Sequence, residues 1–329
     1  MAGLPANDYT TGRWRDAYDR CLVFEKNAAS VPPPLSGPSR LVCARLLGYI
    51  IREALTDCGR DTISNEIKDC ADEDALVVLA TLYLNYFIRC FLARKKVRTP
   101  TPSQHPSRPS FHDVQETLKY LINEAPQSHA TAKQKALYRD GFCCVLSGAC
   151  DAPSFESIAS VRDLPLASDK EVAPTHAAHI LPESAITGIL GANEGDAKLN
   201  LIIATVWTIM ERFGQVLIPD ELNGPNIHHL ENVMTLSTPN HYRPNSAYPQ
   251  VRSGIPDLIS FTTPDPVQFP LPSPEYLRLH AACARVHHFS GAAEYIRAVL
   301  RDMDDVRVLA SDGASADALH FSLLNLEVQ

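Results

Sequence analysis

Residues 174–181 read Pro-Thr-His-Ala-Ala-His-Ile-Leu, and residues 231–236 read Glu-Asn-Val-Met-Thr-Leu. Each is a short apolar run of the length a strand prefers. The second is followed by Ser237-Thr238-Pro239, a hydroxyl cap and a proline suited to the first turn of a helix. A strand carrying His179, a strand opened by Asn232 and a helix carrying His241 in its first turns can converge on one small site. On one continuous helix Asn232 and His241 would take opposite faces; the break at Ser237–Pro239 removes that objection. Ala177 and Ala178 leave room beside His179.

Upstream, Arg139-Asp140-Gly141-Phe142-Cys143 leads into an apolar run, Phe142 to Leu146, closed by Ser147-Gly148. It reads as a further short strand and turn. A helix is expected over Val114–Asn123 and a buried one over Asn200–Phe213, with Trp207 and Phe213 in its apolar stripe.

Outside this middle region the periodicity is helical. From about Arg13 to Lys96 the chain reads as helices, broken at Val31-Pro32-Pro33-Pro34. Leu41 to Leu55 carries apolar residues at helical spacing, with Arg45, Arg52 and Glu53 opposite, and Gly59 reads as its C-terminal stop. Ala71 to Arg89 repeats the pattern, with Asp72, Glu73 and Asp74 at its positive end. Arg94–Arg98 is basic, either a solvated helix end or a phosphate-contacting arm. Thr99–Ser110 is rich in Pro and Ser and builds no core. After the Pro-rich bridge at Pro264–Pro274, Ser273-Pro274-Glu275 opens a helix to about His287, and Ser290 caps another to about Met303.

These readings give an α+β chain, mostly helical. They divide it into a helical region (1–98), a linker (99–112), a core (113–261) and a helical C-terminal region (262–329).

Of the 329 residues, 45% are hydrophobic and 21% charged, a globular balance, and the formal net charge is -8. An acidic chain binds DNA only through a local basic stripe, because affinity for phosphates comes from Lys and Arg. No apolar run is long enough to span a membrane, and Met1–Arg20 has no apolar stretch of signal type. Nine scattered cysteines do not form a disulfide framework. The expected location is therefore intracellular, cytoplasm or nucleus, not secreted, with no membrane partner. Cys143, Cys144 and Cys150 lack a paired C-x-x-C spacing and read as core and turn residues, not as zinc ligands. His228 and His229 read as exposed loop residues, and His287 and His288 as a helix end.

The order Arg139–Cys143, Ala178-His179-Ile180 with Pro182, Asn232–Leu236 and His241 resembles the HNH endonuclease superfamily, and within it the fungal HNH-domain proteins. The flanking helices and the tail from Pro270 to Glu294 resemble that group too. The resemblance implies a ββα-metal core that hydrolyses phosphodiester bonds in DNA with a divalent ion, magnesium, manganese, zinc or nickel. It makes His179 the general base and His241 a metal ligand. Asn232 would hold the loop carrying the base, or touch the metal through its side-chain oxygen.

Two features depart from that pattern. Ala178 stands where many relatives have a ligating Asp or His, and His176, three residues back, reaches the site only if the strand bulges. Pro244 stops the last helix almost at once. A catalytically silent interaction or scaffold protein of the same fold, or an enzyme using the pocket on a small substrate, are the competing readings.

Overall fold

The computed structural model describes residues 2–10, 12–88, 128–158, 161, 171–182, 213, 222, 224–237, 255–256 and 258–305. The linker, the helix expected at Val114–Asn123, all but Phe213 of that at Asn200–Phe213, and the segment holding His241 and Pro244 lie outside them. The chain forms two compact units that interleave along the sequence.

The first unit is built of helices with no strand among its described residues, as the periodicity predicts. It contains α1 (Gly12–Ala28), α2 (Arg40–Glu53), α3 (Asp57–Asp69), α4 (Glu73–Tyr83) and a π-helical turn, Leu84–Ile88. Helix α2 is buried on nearly every side, including Leu46, Leu47, Ile50 and Ile51 at 0% exposure, because α1, α3 and α4 pack around it. Side-chain caps start three of these helices: Ser39 accepts from Val42 N–H, Thr56 from Gly59 N–H and Asp72 from Ala75 N–H.

The stop expected at Gly59 is corrected. Helix α2 ends at Glu53, and Gly59 lies buried inside α3. Thr56 caps a new helix with Asp57 in its first turn, and that start signal prevails over the glycine. The same unit takes in the C-terminal helices from Leu277 onward, α7 (Pro274–Ser290) and α8 (Ala292–Asp305). Both start as the sequence indicates: Ser273 Oγ accepts from Tyr276 N–H, and Ser290 Oγ from Ala292 N–H. Phe213 is core, tilted against Phe87 with ring centroids 4.8 Å apart. Among the described residues no helix is long and apolar enough to cross a membrane.

The second unit holds the strands. Helix α5 (His129–Arg139) precedes β1 (Cys150–Asp151), α6 (Ala152–Ser157), β2 (Val172–Ala173), β3 (Thr175–His179) and β4 (Val233–Ser237). Strands β1 and β2 form a two-residue parallel ladder. Strands β3 and β4 are antiparallel, with unbroken register from Thr175↔Ser237 to His179↔Val233.

Both faces of this pair are covered. Ala132 and Ala136 of α5 meet Ala177, Val233, Leu230 and Phe269; small residues on both sides let helix and strand approach closely. Opposite, Ala178 and Leu236 pack with Cys144, Ala149 and Ala173. The strand expected at Phe142–Leu146 is instead a turn: Gly141 and Phe142 both take positive φ, 63° and 58°, which no strand accommodates.

Candidate functional site

His179 is the last residue of β3, half-buried, on the face turned to α5. Its Nε2 lies 3.0 Å from Nδ1 of His228, in a hydrogen bond. His228 ends a 3₁₀ turn, Gly224–His228, and is 8% exposed. The expectation of an exposed loop residue is therefore overturned. Its polar neighbours gave no sign of burial, because the partner lies on another strand. A third imidazole, the exposed His129 in the first turn of α5, has its ring centroid 5.6 Å from that of His179.

Asn232 directly precedes β4 and is fully buried. Its Oδ1 accepts from Leu181 N–H at 2.8 Å, and its Nδ2 donates to Leu181 C=O at 3.1 Å and Ile227 C=O at 3.0 Å. Its own carbonyl accepts from Ile180 N–H at 2.8 Å. The side chain thus grips Leu181 and the residue before His228, while the backbone carbonyl holds Ile180, the residue that follows His179. A neutral amide suits this task, because it offers donor and acceptor at once. Of the two roles weighed for Asn232, this geometry is that of the loop holder.

The strand pair hangs on a buried ion pair that the sequence reading left without a role. Arg139, at the end of α5, and Asp140 are joined at 2.7 Å, with side chains 0% and 2% exposed. All five guanidinium N–H groups are engaged. Two go to Asp140, two to the carbonyls of Leu230 and Pro270, and one to that of Val233. Asp140 Oδ2 also accepts from Thr235 N–H. The other strand is held by Asp151, which accepts from Thr175 Oγ1 at 2.6 Å while capping α6 through Ser154.

His176 lies on the face of β3 opposite His179, since the ladder has no bulge. The condition for its joining His179 at one site is not met, a correction to the ligand expected there. Burial pushes its pKa below the ordinary value, helped by Lys133 and His129 and opposed by Asp151. Lys133 Nζ donates to Thr175 C=O at 2.9 Å, which places a lysine beside β3 within an acidic chain.

Ala178, where a ligand stands in many HNH proteins, is 4% exposed among apolar side chains. Among the described residues no three His, Cys, Asp or Glu side chains could together hold a metal ion, and His241 lies outside them. The described residues alone do not make a metal site. No family model matches the chain, and no curated protein or solved structure matches it either.

Proposed function

We propose that the chain is an HNH-type endonuclease that hydrolyses phosphodiester bonds in DNA, with His179 as general base. The observation that carries this reading is a histidine at the end of a strand whose ring is hydrogen-bonded to a second imidazole, followed by a loop clamped by a buried asparagine. In this reading His179 takes a proton from water as the water oxygen bonds phosphorus and the ester oxygen departs. A lone pair on the reacting nitrogen is required, and His179 keeps one on Nδ1 in the tautomer that donates its Nε2–H to His228 Nδ1. Lys133 supplies positive charge for an anionic substrate. Asn232 acts on position, not on protons. Dependence on a divalent ion belongs to the proposal through its resemblance to HNH enzymes and rests on His241.

The test is cleavage of plasmid and single-stranded DNA with magnesium, manganese, zinc or nickel, with His179→Ala as control. Ala178 in the core and the net charge of -8 favour a second reading, a non-catalytic protein that retains the fold for interaction. Absence of cleavage by the parent with every metal selects that second reading.

A further inference from the structure

Cys143 and Cys150 face each other across the turn that joins α5 to β1. They form an antiparallel bridge, framed by backbone bonds from Cys144 N–H to Ala149 C=O at 2.8 Å and from Asp151 N–H to Phe142 C=O at 2.9 Å. That frame makes Cys143 and Cys150 a pair without mutual backbone hydrogen bonds. In such pairs the Cα atoms approach to about 4.5 Å, within the ~4.4–6.8 Å that disulfides span. Their sulfur atoms are 3.5 Å apart, packed against Phe155. Cys144, one residue along, lies in the separate cluster with Ala178 and Leu236, and its sulfur accepts from Ser147 N–H.

We propose that Cys143 and Cys150 are a dithiol that converts to an intramolecular disulfide on exposure to a peroxide. Cys143, 9% exposed against 1% for Cys150, reacts first. Its sulfur bonds one peroxide oxygen as the O–O bond breaks, and the departing hydroxide takes up the thiol proton, leaving a sulfenic acid and water. The Cys150 sulfur then attacks that sulfur; the S–S bond forms, the S–O bond breaks and a second water leaves. Two electrons pass from the two sulfurs to one peroxide, and a dithiol reductant reverses the change by exchange.

The site matters because of what its two legs hold. Cys150 directly precedes Asp151, which anchors Thr175 of β3. On the other leg Val145 N–H donates to Thr235 C=O of β4 at 3.0 Å. The inference rests on this turn and not on the nuclease reading.

The test treats the folded full-length chain with hydrogen peroxide, alkylates remaining thiols with iodoacetamide, and digests with trypsin. Cleavage after Arg139 and Arg162 leaves all three cysteines in one peptide, so fragmentation and single variants assign the link. The parent is expected to give a Cys143–Cys150 bridge with Cys144 alkylated, restored to three alkylated thiols by dithiothreitol. Cys144→Ser keeps the bridge, whereas Cys143→Ser and Cys150→Ser lose it. Three alkylated cysteines after peroxide, a link through Cys144, or oxidation that dithiothreitol does not reverse overturns the proposal.

Discussion

His179 and His228 share one hydrogen bond, Nε2 to Nδ1 at 3.0 Å, across the 3₁₀ turn before β4. With both rings neutral, one must donate and the other accept, so the pair sets its own tautomers. On the proposed nuclease reading, His179→Ala is expected to lower cleavage by about a hundred- to ten-thousandfold, the usual contribution of a general base. It also leaves the buried His228 without this bond, so stability falls by about 1 kcal/mol. Unchanged cleavage rates would remove His179 from the chemistry.

His228→Ala tests the bracing role separately. On the proposed nuclease reading it leaves the base, His179, in place but unorients it, and a loss of about ten- to a hundredfold is expected, the range typical when a partner orienting a site imidazole is removed. The loss should fall on kcat with KM nearly unchanged, because His228 faces His179. In the parent, nitrogen-15 spectra of the imidazoles should show His179 and His228 each in one fixed tautomer. Averaged tautomers would contradict the pairing even if no nuclease activity were found.

Asn232 is a stability prediction as much as a functional one. Asn232→Ala leaves three backbone groups, of Leu181 and Ile227, without their buried partner, at a cost of about 2–4 kcal/mol. Asn232→Asp keeps an acceptor for Leu181 N–H but turns two donations into contacts between oxygens, so it is expected to destabilise the fold as well. Denaturant unfolding of both variants is the check, and parental stability in Asn232→Asp would exclude the clamp.

Arg139→Met removes five hydrogen bonds and strands the buried Asp140 carboxylate. Breaking a buried pair on one side costs about 3–5 kcal/mol. Adding Asp140→Leu removes the stranded charge, so the double variant should recover part of that loss. Thr235 N–H and the carbonyls of Val233 and Pro270 lose these partners, and that of Leu230 keeps only its bond from Val233 N–H, so the recovery stays incomplete. Additive losses in chemical denaturation would show that the two residues do not act as a pair.

What the sequence makes legible here follows the range of the interactions. Strands β3 and β4 are local patterns, and Ser39, Thr56 and Asp72 cap helices through residues three positions away. The Gly59 expectation fails because two local signals compete and the Thr56 cap prevails. The strand at Phe142–Leu146 fails because periodicity does not encode two consecutive left-handed residues, the second of them non-glycine. The burial of Arg139 is set by carbonyls 91, 94 and 131 residues along, so the adjacent Arg-Asp reads as surface until the chain is folded. His228 is hidden for the same reason: its partner is 49 residues away. Asn232 was legible as a loop holder only through its order with His179, not through any pattern of its own.

His287 gives a pH dependence independent of any activity. It lies on α7, 9% exposed, and its Nε2 has no hydrogen-bond partner. It lies in the last turn of the helix, as expected, but burial, with Arg297 on α8 and His288 beside it, lowers its pKa from 6.5 to about 4. The folded state thus binds the proton more weakly than the unfolded state. Between those two values the unfolded chain carries more protons, so stability rises with pH. The full stability is present above the unfolded value near 6.5 and is lost progressively as pH falls toward 4. Between pH 7 and pH 4.5 this group alone should cost about 2–3 kcal/mol. His287→Leu removes the titration without leaving a polar atom in the core, so its unfolding free energy should fall less over the same interval than that of the parent. Parallel pH profiles for the two proteins would show that His287 is not held neutral in the folded chain.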